Sequence, residues 1–271
     1  METLEWLRAL GVEKLIFAVT LGVPRLFVLF TVTPFLGGGI VTGPLRMSLV
    51  LPLMLFIYPT LPDTGALTAG LGNTAGVLLI MAVMVKEVFV GFCLGFLVSI
   101  LFWTVQSAGF LMDNQRGASQ SQSTDPISQE STSPLGSFLF QVLVYLFFTS
   151  SAFLSFLSLC FTSYLIWPVG QLLPWPISMK LPLLFAEQVS WLMLYMVLLA
   201  APVVIACFLS DFCLGLINRF AQQLNVFILS MGVKSGATAF LIFVYLYPLC
   251  HIFLEMMARL SRVQLVLSGA L

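Results

Sequence analysis

The side chains best suited to hydrogen-bond chemistry lie in one polar stretch, residues 113–134, which reads DNQRGASQSQSTDPISQESTSP. Ser, Thr, Gln and Asn dominate it and Ile127 is its one large apolar residue, so this stretch cannot build a core. Its uncharged side chains could line or plug a passage and exchange hydrogen bonds with a chain moving through. The other interpretation is a solvated connection, which composition alone favours, because polar connections of this length are commonly linkers.

The first residues of this stretch predict how the preceding helix ends. Asp113 and Arg116 stand at i and i+3, a spacing that lets two side chains pair on one helical turn. Gly117 follows them and can adopt the left-handed conformation that ends helices. We therefore expect a helix that stops abruptly at Gly117, with an ion pair at its end.

A second polar stretch, residues 211–234, reads DFCLGLINRFAQQLNVFILSMGVK. Ionisable groups among membrane spans indicate function by default. They could equally lie at a membrane interface, with Arg219 and Lys234 extending to water, and the Asn and Gln side chains would suit helix–helix hydrogen bonds worth ~0.6–2 kcal/mol each. The candidate subunit-packing residues are Asp211, Asn218, Arg219, Gln223, Asn225 and Lys234.

The sequence contains few of the residues and motifs that enzyme active sites use. The chain has a single histidine, His251, in an apolar block, and it contains neither HExxH nor a nucleotide-binding glycine motif. Asp211 is the only aspartate inside a plausible span, whereas an aspartyl protease needs two facing carboxylates. The five cysteines lie in apolar stretches and are expected to be small buried hydrophobes. We expect no catalytic residue, no metal site and no cofactor.

The composition predicts an all-α integral membrane protein. Sixty per cent of the 271 residues are apolar, only 8% are charged, and mean hydropathy is +1.07, whereas soluble domains spend about 25% of their residues on charge. Eleven basic and eleven acidic side chains cancel, which removes any electrostatic argument for nucleic acid as a partner.

Charged residues are expected to mark the ends of spans, because an ionised group in hydrocarbon costs at least ~2.5 kcal/mol. At ~20 residues per crossing, the chain could hold about six spans in one domain. The apolar blocks between charges are 15–36, 47–62, 64–85, 88–112, 135–167, 188–210 and 237–254.

Two features of the chain fit a simple lipid-solvated bundle poorly, namely blocks of very unequal length, and prolines and glycine clusters at apolar depth. The block 47–62 is at the lower limit for a span, and 135–167 would be ~50 Å long as one helix, which predicts a break at residues 149–151. Residues 168–187 are rich in proline and predict an interfacial connection. Irregular backbone at apolar depth is tolerated only where protein or water surrounds it, so partner subunits are expected to cover much of the apolar surface.

Two runs resemble a known family. Residues 86–119, which contain DNQRG at 113–117, and residues 202–235, with Asp211, Arg219 and QLNVF at 223–227, resemble the T component of the type III secretion export apparatus. That family includes the flagellar FliR and the injectisome SctT, SpaR and YscT proteins. Gln222 and Gly232 stand where many flagellar members have proline, which favours an injectisome.

The resemblance implies a fold and a role. Such proteins are multi-hairpin membrane-type subunits with broken helices, and they join the R and S components in a helical hetero-oligomeric export gate for unfolded polypeptides. The switch protein, or U component, docks against this gate, and the basal-body ring surrounds it. Members are multi-pass proteins of the bacterial inner membrane whose assembled helices are raised toward the periplasm. A plug-like loop of the family begins at DNQRG, so the candidate plug and gating residues are Asp113, Asn114, Gln115, Arg116 and Gly117.

The alternative function is a small-molecule secondary transporter. Such proteins use broken helices with polar groups near the bilayer midplane, and residues 211–234 could supply them. The sequence shows no two corresponding halves, which argues against this class. A transporter would purify as a discrete particle, whereas an export-gate subunit would copurify with R and S partners.

Overall fold

A computed structural model describes residues 12–37, 41–58, 74–117, 133–170, 180–220 and 225–269. Within these ranges the chain forms seven helices and no strand, which confirms the all-α prediction. The helices are α1 (Val12–Val32), α2 (Gly43–Ile57), α3 (Thr74–Arg116), α4 (Pro134–Thr149), α5 (Ala152–Ile166), α6 (Lys180–Phe220) and α7 (Val226–Gly269).

Three of these helices are much longer than a bilayer crossing requires. α3, α6 and α7 contain 43, 41 and 44 residues, which is roughly 60–65 Å at ~1.5 Å per residue, against ~30 Å of hydrocarbon. In the part of the chain that the structure describes, these three could span a membrane, and the broken pair α4–α5 would make a fourth. The described residues therefore contain fewer candidate spans than the about six expected from the length of the chain.

The error lies in where helices were expected to end. The blocks 64–85 and 88–112 were separated at Lys86 and Glu87, yet α3 continues through both residues. α1 likewise runs through Pro24 and Arg25 without a break. α6 begins at Lys180, inside the connection predicted at 168–187, because proline at position 182 is tolerated in a first helical turn.

The predicted break at residues 149–151 is confirmed. Ser150 has extended backbone angles and its N–H donates to the Leu146 carbonyl at 2.8 Å, which ends α4. The Ser150 hydroxyl then accepts a hydrogen bond from the N–H of Ala152 at 3.2 Å, the residue that begins α5. One serine therefore satisfies backbone groups of both helices at the break.

The chain forms two compact units. The first comprises Met1–Ser99, Phe153–Leu184 and Leu260–Leu271, and the second comprises Ile100–Ala152 and Phe185–Arg259.

Each unit has an apolar core of its own. In the first, the fully buried ring of Phe156 packs against Phe30 and Phe35, with ring centroids 6.0 and 5.6 Å apart. In the second, Phe102 and Phe147 are fully buried with ring centroids 5.4 Å apart. Aromatic pairs at these separations add to the stabilisation that burial gives.

Candidate functional site

The abrupt end predicted for α3 is present. Gly117 has φ +84, the one positive φ among the described residues, and its N–H donates to the Asn114 carbonyl at 3.1 Å. An L-residue with a side chain is strained in this conformation, whereas glycine is not. Gly117 therefore ends the helix just before the stretch 118–132, which lies outside the described residues.

Asp113 is the centre of a buried hydrogen-bond cluster at this helix end. Its side chain is only 4% exposed, and Oδ1 accepts from Nε of Arg116 at 2.7 Å, which confirms the predicted pair. Oδ2 accepts from the Ser133 hydroxyl at 2.5 Å and from the N–H of Leu135 at 2.9 Å. Three donors therefore compensate the cost of burying this carboxylate.

The hydrogen-bond donors to Oδ2 of Asp113 belong to the beginning of α4. Ser133 is the N-cap of α4, and its hydroxyl accepts from the N–H of Gly136 at 2.9 Å while it donates to Asp113. Pro134 occupies the first helical position, where its missing N–H costs nothing. Asp113 thus joins the end of α3 to the start of α4, the two sides of the polar stretch. We call Asp113, Arg116, Ser133 and Leu135 the Asp113 clamp.

Two glycines allow α3 and α4 to approach closely beside the clamp. A methyl group placed on Gly109 would lie 2.5 Å from Cα of Gly136, which is too close for any side chain. Gly109 precedes Asp113 by four residues and lies on the same helical face.

The remaining predicted plug residues differ in exposure. Asn114 and Gln115 are exposed at the last turn of α3, whereas the Arg116 side chain is 21% exposed because it leans on Asp113. The structure therefore separates the five predicted residues into two clamp members, two exposed amides and Gly117, which ends the helix.

The predicted packing residues of the second stretch are only partly brought together. Nζ of Lys234 on α7 lies 3.0 Å from Oδ1 and 3.1 Å from Oδ2 of Asp211 on α6, and the Asp211 side chain is 49% exposed. Asn218 and Arg219 are exposed near the end of α6, and Asn225 is exposed just before α7. Gln223 lies outside the described residues.

A third polar cluster was not predicted as a site. Arg25 and Glu87 are fully buried in the first unit and their side chains approach to 2.6 Å. Both stand within apolar runs, and two opposite charges of this kind in a membrane chain usually pair with each other. That rule was the signal available in the sequence.

The single histidine and the five cysteines differ in exposure. His251 is 68% exposed, with Nδ1 3.4 Å from a Glu255 oxygen. Cys93, Cys160 and Cys207 are buried as expected, whereas Cys213 is exposed and Cys250 partly so. No group of three metal-ligating side chains occurs in the described part of the chain.

Comparison with known proteins gives consistent matches over most of the chain. The family described as "Bacterial export proteins, family 1" matches residues 16–260. The Yop proteins translocation protein T of Yersinia pestis is 35% identical over 256 residues, covering 94% of this chain and 93% of the relative. The surface presentation of antigens protein SpaR of Shigella flexneri is 35% identical over 222 residues, with 81% of each chain covered.

A flagellar relative is more distant. The flagellar biosynthetic protein FliR of Bacillus subtilis is 24% identical over 164 residues, covering 60% of this chain and 63% of the relative. The resemblance to type III secretion T components is confirmed by these matches, and the chain belongs to family 1 of the bacterial export proteins.

Proposed function

We propose that this chain is a non-catalytic subunit of a type III secretion export gate. Together with R and S components it would form the pore through which unfolded proteins leave across the bacterial inner membrane. The observation that carries this proposal is the family match over residues 16–260. The whole chain, residues 1–271, would act as one functional T-component domain.

The apolar surface of the second unit supports a role in an assembly. In the most apolar 18-residue segment of α3, 72% is buried inside the chain, compared with 22% for the corresponding segment of α6 and 17% for that of α7. An apolar surface this large requires either lipid or protein as a neighbour. Because α6 and α7 are about twice as long as the hydrocarbon core of a bilayer is thick, lipid alone would leave some of their apolar side chains in water. Partner subunits, the R and S components in this proposal, would cover the remainder.

The C-terminal part of α6 and the residues around the start of α7 supply the polar part of this proposed interface. Asn218, Arg219 and Asn225 are exposed there, and the Asp211 carboxylate is half-exposed although Lys234 pairs with it. Such groups can accept or donate further hydrogen bonds to a neighbouring helix. We assign them, together with Gln223, to subunit packing.

The Asp113 clamp supports a plug at the polar stretch. It holds the two helices on either side of residues 118–132 through hydrogen bonds to one buried carboxylate. The clamp would fix the base of the plug, while Asn114 and Gln115 would face the pore, where exposed amides can exchange hydrogen bonds with polypeptide.

An injectisome is favoured over a flagellum as the source of the gate. Relatives at 35% identity carry the names of a Yop translocation protein and a surface presentation of antigens protein, whereas the flagellar relative is 24% identical. Gln222 and Gly232, at which many flagellar members have proline, point the same way. The switch protein and the basal-body ring would be the further partners, and the assembled helices would be raised toward the periplasm.

Copurification tests the assembly directly. The tagged chain, extracted in mild detergent from cells that express all export-apparatus components, should bring down R and S components in fixed ratio. Recovery as a discrete particle that alone moves a small solute in lipid vesicles would instead support a secondary transporter.

Ion conductance tests the plug. Deleting residues 119–132, or replacing Gly117→Leu, should raise ion leakage through the assembled complex, because each change disturbs the segment proposed to close the pore. Gly43→Leu is the matched control, since no atom lies within 4 Å of a methyl group at that position. Unchanged conductance and secretion in both plug variants would contradict the assignment.

A further inference from the structure

A fully buried ion pair joins α1 to α3 in the first unit. Nε of Arg25 donates to Oε2 of Glu87 at 2.6 Å, and Nη2 donates to Oε1 at 3.0 Å. Both side chains are 0% exposed. This two-pronged geometry fixes the relative orientation of the two side chains and their helices.

The same guanidinium group also holds the end of α5. Nη1 donates to the Ser163 carbonyl at 2.7 Å and Nη2 donates to the Trp167 carbonyl at 2.8 Å. The ring of Tyr164 lies 4.3 Å from the guanidinium carbon, and the Tyr164 hydroxyl donates to the Gly22 carbonyl on α1 at 2.8 Å. The carbonyls at the C-terminal end of a helix carry partial negative charge, so a cation is well suited to this position.

Lys86 extends the cluster past the end of α5. Its Nζ lies 2.6 Å from Oε1 of Glu87 and donates to the carbonyls of Pro168 and Val169 at 3.0 and 3.2 Å. Two cations therefore share one carboxylate, and four main-chain carbonyls accept hydrogen bonds from them. We call Arg25, Lys86 and Glu87 the Arg25 joint.

Small residues on α3 allow this geometry. Gly91 and Gly95 follow Glu87 at intervals of four and so lie on the same face. A methyl group on Gly91 would lie 2.3 Å from the Arg25 carbonyl oxygen, and one on Gly95 would lie 2.9 Å from Cβ of Val32. The backbones of α1 and α3 therefore approach closely beside the ion pair.

We propose that the Arg25 joint fixes the C-terminal end of α5 to α1 and α3. When the joint is removed, this end of α5 detaches locally while the second unit keeps its fold. This inference is independent of the export function. It rests on the number of elements that one guanidinium contacts, because Arg25 on α1 binds both the Glu87 carboxylate on α3 and two carbonyls at the end of α5.

Conservative substitutions separate this role from simple charge neutralisation. Arg25→Lys keeps the charge, but three donors on one nitrogen cannot reproduce the planar fork to Glu87 together with bonds to both carbonyls. Glu87→Gln keeps the shape of the side chain but removes the negative charge that pairs with the fully buried Arg25 guanidinium. Glu255→Gln is the control, since that carboxylate is 69% exposed.

Native cysteines provide the readout. Cys160 is 1% exposed on α5, one turn before Ser163, and Cys207 is 1% exposed in the second unit. Cys213 is exposed and reports complete labelling. Membranes that contain each full-length variant would be treated with N-ethylmaleimide, and labelling of each cysteine would be quantified by peptide mass spectrometry.

The joint predicts that Arg25→Lys or Glu87→Gln raises the rate of Cys160 labelling about tenfold or more, because labelling follows the population in which this end of α5 has opened. Cys207 should stay protected in the same variant, and Glu255→Gln should label as wild type does. If Cys160 stays protected in both variants, or becomes labelled only together with Cys207, the proposal is wrong.

Discussion

Two aspartates, Asp113 and Asp211, are each paired with a cation in the second unit, but their surroundings differ. The Asp113 side chain is 4% exposed and accepts from three donors, whereas the Asp211 side chain is 49% exposed and contacts Lys234. Asp113 therefore has its hydrogen-bonding capacity largely used within the chain. The carboxylate oxygens of Asp211 remain accessible to a neighbouring subunit.

The difference indicates which polar residues serve the fold of the chain and which serve its assembly. Separating a buried carboxylate from its partners costs far more unfolding free energy than breaking a half-exposed ion pair in contact with water. Residues near Asp113 should therefore affect stability strongly, and those near Asp211 should affect association with partners instead.

Asp113→Ala should cost the most, about 3 kcal/mol of unfolding free energy. It leaves the buried Ser133 hydroxyl and the N–H of Leu135 without their acceptor and removes the partner of Arg116, and each unsatisfied buried group costs about 1–3 kcal/mol. Thermal unfolding of the purified complex in detergent measures the effect. Asp211→Ala is the matched control, and equal losses in the two variants would contradict the comparison.

Gly109→Ala should cost about 2 kcal/mol, within the usual range for overpacking. Its methyl group would lie 2.5 Å from Cα of Gly136, so α3 and α4 would have to separate beside the Asp113 clamp. Gly215→Ala on α6 is the control, since nothing lies within 4 Å of a methyl group there and alanine favours a helix. A melting temperature for Gly109→Ala at or above that of wild type would show that the two helices do not meet this closely.

Gly117→Ala should cost about 1 kcal/mol, because an alanine at φ +84 occupies the left-handed region at a penalty of roughly 1–2 kcal/mol. Gly117→Asn should cost less, since asparagine tolerates this region better than alanine does. The melting temperatures of the two variants test the ranking. If both equal wild type, the helix end does not depend on the conformation of Gly117.

Much of this arrangement could be predicted from the sequence where the cause was local. The Asp113–Arg116 pair, the helix end at Gly117 and the break at Ser150 each depend on a few neighbouring residues, and all three are confirmed. The participation of Ser133 could not be predicted in the same way. It stands twenty residues from Asp113, and only the packing of α3 on α4 brings the two together.

The same limit explains the wrong helix boundary at Lys86 and Glu87. A charge ends a membrane span when it must reach water, but Glu87 is neutralised by Arg25, which lies 62 residues earlier in the sequence. Local hydropathy contains no information about that partner. The rule that charges mark the ends of spans therefore fails where opposite charges meet inside the fold.

Asp211→Asn should have the smallest effect on the chain itself, about 0.5 kcal/mol, because a half-exposed ion pair contributes little. Its larger consequence is expected in the proposed assembly, where recovery of R and S components with the tagged chain should fall severalfold as the polar contact to a partner helix weakens. Quantitative mass spectrometry of the copurified complex measures this ratio, with Glu255→Gln as the exposed-carboxylate control. A variant that melts well below wild type yet retains its partners in full would reverse the comparison, and would place Asp211 with Asp113 among the residues that hold the chain together.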